Sequence, residues 1–337
     1  MQYGLMMRGQ FAAEDDIVVR FQELCAQARL AERVGFSSLC KGSHYAGAPS
    51  QDFQQLPFLS RMMAEVPSMR LLAGLVLLPL HKPLDLAEQL ATIDVMSGGR
   101  LIFGCGLGYR ELEFRAFGTT QSERVKRFEE NLEAIKRLWT GEPVSMKASH
   151  FELMEATTSL RPAQRPRPPI WIGAMADAAV LRAARLGDCW YIPPQSHMDQ
   201  VHRQYDLYRT ELDKLGRPFP SEFPMRRECF VARTREEAVR LCGEALAAKF
   251  RTYHDWGGSR TLAQGDTLDH AFDELIKGRF LIGTPEQVAE EIATTILPLG
   301  VNHLVLSMQW AGMETQVSND AVQLFAEEAM PLVAKAR

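Results

Sequence analysis

The strongest constraint on the fold is the order in which two periodicities alternate along the 337 residues. Short apolar or β-branched runs recur at Gln2–Met7, Ser37–Lys41, Arg70–Leu78, Arg100–Cys105, Ile170–Gly173, Cys189–Ile192, Glu228–Ala232 and His303–Met308. Nearly all are separated by stretches with helical spacing. In the first, Phe21, Leu24, Cys25, Ala28 and Ala31 recur on one face and Gly35 stands where a helix stops. Pro83 opens another, with Leu86, Ala87, Leu90 and Ile93 on one face and Gly98-Gly99 at its end. Further helices are expected at Phe53–Glu65, Glu123–Trp139, Asp177–Leu186, Val201–Leu215, Arg235–Phe250, Thr284–Ile296 and Asn319–Ala334. Strand–helix alternation of this length fits a closed barrel or an open doubly wound sheet, and eight units favour the α/β (β/α)₈ TIM barrel. The unbroken apolar run at Arg70–Leu78 suits a parallel strand buried on both faces.

Two stretches depart from the alternation. Gly141–Pro169 has no helical period and four prolines after residue 160, and reads as an insertion with a hairpin around Val144–Leu153. Tyr253–Gly278 is polar and glycine-rich and reads as a flexible loop or lid. With no internal repeat and no Pro/Ser-rich hinge, residues 1–337 are expected to form a single domain.

Composition narrows the function classes. Hydrophobic residues make up 46% and charged residues 24%, with a net charge of −4 and the two signs interspersed, so there is no basic stripe for nucleic acid. The longest apolar stretch, Leu71–Leu80, is too short to cross a bilayer. The N-terminus lacks a charged-then-apolar signal segment, so a cytoplasmic location is expected. Cysteines 25, 40, 105, 189, 229 and 242 show neither zinc nor disulfide spacing and read as small hydrophobes of a reduced core. The eight histidines contain no HExxH pattern, and no catalytic metal is expected.

Gly104-Cys105-Gly106-Leu107-Gly108-Tyr109 follows a strand, but a dinucleotide fingerprint needs a third glycine where Tyr109 stands. Glu111 and Glu113 would also set carboxylates where a pyrophosphate should lie. The glycines fit instead a strand end on the C-terminal face of a barrel, where ligands bind and a glycine admits close approach to the backbone.

Three segments resemble the bacterial luciferase-like flavin-dependent monooxygenase family. The first is Leu30-Ala31-Glu32-Arg33-Val34-Gly35-Phe36 leading to Gly42-Ser43-His44-Tyr45. The second and most specific runs from Leu71 to Gly118. The third is Pro169-Ile170-Trp171-Ile172-Gly173-Ala174, with Gly283-Thr284-Pro285-Glu286 before the last strand. The resemblance implies a barrel that binds reduced FMN at the C-terminal ends of its strands and activates dioxygen through a flavin hydroperoxide. It also implies a separate flavin reductase as the electron source and a homo-oligomeric assembly.

Residue by residue, the resemblance makes His44 the catalytic group, giving a hydrogen bond or proton near the reacting oxygen, as an imidazole can at neutral pH. It places Gly74 and Leu75 against the flavin ring, with a cis peptide between them. Met6, Lys41, Gly106, Tyr109, Gly173, Ala174, Met175 and Ala176 complete the expected cofactor contacts. Amides at the helix start near Ala174–Ala176 can hold a phosphate without a charged side chain, and Asp177 is expected to cap that helix. The chain departs from the family in lacking hydroxyl residues there, and in having Leu107 where luciferase has an arginine. Arg110 is the expected substitute. Luciferase's reactive cysteine aligns with Gly106, so Cys105 is assigned no chemistry. Arg100 reads as a structural residue of the lower face, and Glu88 and Asp94 as structural hydrogen-bonding groups. His81, Trp310, Gly312 and Met313 are candidates to border the site.

The resulting expectation is oxygenation of a small, neutral and hydrophobic substrate by reduced FMN and O₂, under a lid formed by residues 253–278. The rivals are a deazaflavin-dependent oxidoreductase on the same barrel, and a non-catalytic flavin-binding subunit.

Overall fold

The computed structural model describes residues 1–257, 262, 267–268 and 270–336. Its strands are β1 (Gln2–Met6), β2 (Ser38–Lys41), β3 (Arg70–Leu77), β4 (Leu101–Gly106), β5 (Val144–Lys147), β6 (Glu152–Ala156), β7 (Ile170–Gly173), β8 (Cys189–Tyr191), β9 (Pro224–Val231), β10 (Leu281–Gly283) and β11 (His303–Ser307). All but β5 and β6 belong to one parallel sheet in the order β10-β9-β11-β1-β2-β3-β4-β7-β8. A bridge between Ile192 and Met225 joins β8 to β9 and closes eight of the strands into a ring. Ile192 N donates to Pro224 O at 3.2 Å, and Arg226 N donates to Ile192 O at 2.9 Å. The (β/α)₈ barrel expected from the alternation is therefore present.

The main helices pack outside the ring: α1 (Ile17–Arg33), α2 (Gln55–Glu65), α3 (Pro83–Met96), α4 (Glu111–Ala116), α5 (Arg124–Leu138), α6 (Asp177–Leu186), α7 (Met198–Lys214), α8 (Arg235–Asp255), α9 (Phe272–Leu275), α10 (Pro285–Glu291), α11 (Thr315–Leu324) and α12 (Met330–Lys335). None among the described residues is long and apolar enough to cross a membrane. The insertion at 141–168 carries the antiparallel pair β5–β6, as its sequence implied.

Three differences from the sequence expectation have clear causes. Strand β9 begins at Pro224, four residues early, because Arg226 and Arg227 interrupt the apolar signal by which a buried strand is recognised. β10 is only three residues long and passes directly into a helix start, where Thr284 Oγ1 accepts from Gln287 N and Thr284 N donates to Gln287 Oε1. Helix α8 runs to Asp255, taking in the first residues assigned to the lid. Residues 258–261, 263–266 and 269 of that lid lie outside the described residues.

The lower mouth of the barrel is plugged by polar groups. Ser38 Oγ lies 2.7 Å from His303 Nε2, His303 Nδ1 lies 2.9 Å from Glu222, and Arg70 donates to the same carboxylate at 2.5 Å. Trp171 packs edge-on to the His303 ring, 5.0 Å between centroids. Arg100 is structural, as expected: it donates to the carbonyls of Met63, Val66, Met69 and Ser97, tying the end of α2 to the start of β4. Asp94 likewise holds Gln164 and the Leu101 amide, and Glu88 holds Ser159.

Strands β3 and β4 approach most closely at Gly104, where a Cβ would sit 2.7 Å from Ala73 O and 3.1 Å from Gly74 Cα. Both neighbours are backbone and cannot swing away. Gly104→Ala is expected to destabilise the protein by about 1–3 kcal/mol, seen as a lower urea midpoint. An unchanged midpoint would show that the two strands separate there without cost.

Candidate active site

The C-terminal ends of the strands surround a cavity of about 450 Å³. The lower plug makes this upper mouth the barrel's accessible face. The cavity is lined by Met6 from β1, Lys41 and His44 from β2 and its loop, Gly74 and Leu75 from β3, and Gly106 and Tyr109 from β4 and its loop. Gly173, at the end of β7, and Ala174, Met175 and Ala176, between β7 and α6, line it as well. All of the sequence-derived site residues except Arg110 thus meet at one cavity.

The glycines serve the floor of this cavity. The Gly74–Leu75 peptide is cis, as the resemblance implied. The Leu75 side chain lies over the next two strands, where a Cβ on Gly106 would be 2.9 Å and one on Gly173 2.2 Å from Leu75 Cδ1. Bare backbone at 106 and 173 therefore makes room for a leucine platform rather than for the ligand itself.

His44 is held from behind. Its Nδ1 donates to Glu113 Oε1 at 3.2 Å, and the same oxygen accepts from Tyr45 N at 2.9 Å and Arg110 Nη1 at 3.3 Å. Glu113 is buried, which pushes its carboxyl up, but His44, the Tyr45 amide and Arg110 together hold it below the usual glutamate range. A carboxylate there fixes the proton on Nδ1 and leaves Nε2 for the ligand side. Tyr109, Tyr253 and Trp256 surround the imidazole edge-on, with Trp256 nearest at 5.3 Å.

Arg110, the expected phosphate contact, is placed differently from the other site residues. Its guanidinium is turned away from the cavity, donating to Tyr45 O at 2.8 Å and stacking under Trp256 at 3.9 Å. Arg124, the first residue of α5, lines the cavity instead, held by Gln121 Oε1 at 3.0 Å. Asp177 is also reassigned. It does not cap α6 but binds Arg203 at 2.7 and 2.8 Å and Gln204 at 2.9 Å. No side chain among the described residues caps α6. Its start therefore offers amides to an anion beside Arg124, and this donor set fits the phosphate of FMN. Of the bordering candidates, Trp310 lines the cavity, whereas His81, Gly312 and Met313 do not. Lys41 is fully buried and paired with Asp52 at 2.6 Å. The six cysteines are buried and free, and burial raises the Cys105 thiol far out of the reactive range.

Comparison with known proteins follows this geometry. Residues 1–303 match the family model of the luciferase-like monooxygenases. The chain belongs to that family. The FMNH₂-dependent dimethylsulfone monooxygenase of Pseudomonas putida is 28% identical over 327 residues, covering 91% of this chain and 86% of the relative. Monooxygenase RslO1 from Streptomyces bottropensis superposes with a TM-score of 0.87 at 28% identity, covering 98% of this chain and 99% of that one. An F420-dependent secondary alcohol dehydrogenase superposes with a TM-score of 0.79 at 18% identity over 98% of both chains, which shows the fold alone. Relatives in the luciferase-like monooxygenase family thus include enzymes that use reduced FMN.

Several cavity residues escaped the sequence reading. Ala245, Ala248, Lys249, Thr252 and Tyr253 line the cavity from one face of α8, and that spacing was the available signal. Arg226 was hidden by the late assignment of β9. Glu113 was noticed only as a residue hostile to a pyrophosphate.

His81 lies outside the cavity, with Nε2 3.4 Å from the Tyr45 hydroxyl, and burial pushes its pKa down to about 4. The folded protein keeps it neutral where the unfolded chain is protonated, so stability is lost as pH falls from about 6.5 to 4. His81→Phe is expected to flatten this loss by about 2 kcal/mol, read from urea midpoints at pH 7 and pH 4.5. Equal slopes for the two proteins would exclude His81 as a source.

Proposed function

We propose that this chain is the oxygenase of a two-component flavin monooxygenase. It would use reduced FMN and O₂ to place one oxygen atom on a small organic substrate and release the other as water. The observation that carries the reading is His44, oriented by Glu113 and enclosed by Tyr109, Tyr253 and Trp256 at the mouth of a leucine-floored cavity. When bound, reduced FMN would supply the two electrons that dioxygen needs. Reduced flavin must come from elsewhere, and a separate flavin reductase is the natural partner; the FMNH₂-dependent relative supports this.

The chain's own residues have distinct tasks in this reading. Arg124 and the amides at the start of α6 hold the phosphate, and Leu75 carries one face of the ring. Tyr109, Met6 and the Ala174–Ala176 segment complete its enclosure, with Lys41 kept neutral in sum by Asp52. His44 gives or takes a proton at Nε2, and Glu113 keeps that nitrogen directed by holding Nδ1. The aromatic rings of α8 exclude water from the reacting oxygen. One barrel domain suffices for all of these tasks.

Anaerobic titration with photoreduced FMN, followed by mixing with oxygenated buffer, tests the reading. His44→Ala is expected to bind reduced FMN as the wild type does, while the oxygen-dependent return to oxidised flavin changes rate by more than tenfold. Glu113→Gln should move it in the same direction by a smaller factor. Arg124→Ala should instead weaken FMN binding at least tenfold. Binding of F420 in place of reduced FMN would move the chain to the deazaflavin oxidoreductases. Identical reoxidation by wild type and His44→Ala would remove His44 from the chemistry.

A further inference from the structure

Apart from Arg124, the charges facing the cavity cancel in most places, and one wall is the exception. Lys41 meets Asp52 at 2.6 Å and Arg8 meets Asp15 at 3.5 Å. Where α8 packs on β9, by contrast, Arg226 and Lys249 share a single carboxylate. Lys249 Nζ lies 2.5 Å and Arg226 Nη2 3.6 Å from Glu228 Oε1, while Glu228 Oε2 accepts from the Trp310 indole at 2.6 Å. The Glu228 side chain is fully buried, and those of Lys249 and Arg226 are 10% and 16% exposed. Two cations against one anion leave a positive charge in a wall sheltered from water, where an unpaired charge is costly.

Donors outnumber acceptors in the same wall. Ser307 Oγ accepts from Nε and Nη2 of Arg226 at 3.1 and 2.9 Å, and Nη1 has no partner among the described residues. The Tyr191 hydroxyl is buried with no oxygen or nitrogen hydrogen-bond partner there; the Cys40 thiol lies beside it and the Arg226 charge acts on it. Burial lowers the Lys249 pKa to about 8 against the opposing pull of Glu228, and its ammonium lies 5.5 Å from the Phe250 and Tyr253 rings. A planar guanidinium edge, an ammonium and a phenol with only a weakly accepting thiol sulfur beside it together match a carboxylate. The neighbouring Tyr253 and Trp310 rings match an apolar or aromatic body behind it.

We propose that Arg226, Lys249 and Tyr191 form a recognition site for the carboxylate of an aromatic or apolar acid, held beside the flavin. This rests on reading the cavity as an oxygenase site and names the substrate class. It replaces the neutral substrate expected from the sequence, which showed no anion clamp because its parts lie on β8, β9 and α8. The phosphate donors, Arg124 and the start of α6, are a separate group.

Benzoate and benzamide, equal in shape and differing in charge, test the site by calorimetric titration into the full-length protein saturated with FMN. Benzoate is expected to bind at least tenfold more tightly than benzamide. Arg226→Gln should abolish that preference, Lys249→Gln should weaken benzoate several-fold, and Glu228→Gln should tighten it by removing a competing negative charge. If Arg226→Gln fails to fold, the opposite signs of the other two variants still decide the matter. Equal affinity for the two probes, a preference that survives in Arg226→Gln, or mutual exclusion of benzoate and FMN would overturn the proposal. The last result would give the charge to the flavin. Should FMN bind in neither its oxidised nor its photoreduced form, the oxygenase reading fails, and the same titration of the FMN-free protein decides the carboxylate site separately.

Discussion

Ring closure is the constraint from which the rest of this molecule follows. An open parallel sheet leaves a row of unpaired amides and carbonyls at each edge, and closing the ring lets the two edges satisfy each other. Here the last join is thin. β8 is three residues long and meets β9 through the backbone of Ile192 alone. The Arg70–Glu222–His303–Ser38 network holds the lower end of the ring, drawing on β2, β3, β11 and the approach to β9. With the lower end tied and filled, the upper ends are free to diverge into loops, and every group assigned to chemistry lies there.

Positioning in that upper layer is electrostatic as much as steric. One oxygen of Glu113 gathers a backbone amide, an imidazole and a guanidinium from two separate loops. The guanidinium then carries Trp256 on its other face. The carboxylate thereby links the loop after β2, the short helix after β4 and the end of α8. A neutral side chain at 113 could keep the imidazole contact but would hold the arginine less strongly.

How much of this was legible follows from what a linear reading can detect. The apolar runs that form β1, β2, β3, β4, β7 and β11 are continuous because both faces of those strands are buried, and the glycines at 74, 106 and 173 mark sites where backbone must be approached closely. Those features located the strand ends, and the resemblance to the luciferase-like family supplied most of the cavity lining. Side-chain direction was not legible. Arg110 and Arg124 both stand near the start of a helix after β4, and only packing against Trp256 turns the first away. Asp177 looked like a cap because a short acidic side chain stands at the helix start, but α7 brings Arg203 to it. The charged wall was least accessible of all, since Tyr191, Arg226 and Lys249 are separated by dozens of residues and meet only when the ring closes.

Strand β9 changes neighbours part-way along its length. From Pro224 to Glu228 it pairs with β11, and from Cys229 to Val231 it pairs with β10. Above Glu228 the barrel wall therefore forks. The chain leaving β11 is released from the sheet and bends so that Trp310 reaches Glu228, while α8 brings Lys249 to the same carboxylate. The cavity is thus partly a slot in the side of the cylinder rather than only a bowl above its rim. A ligand lodged in that slot would meet Arg226 of the strand and Lys249 of the helix together, gripped from the side rather than covered from above.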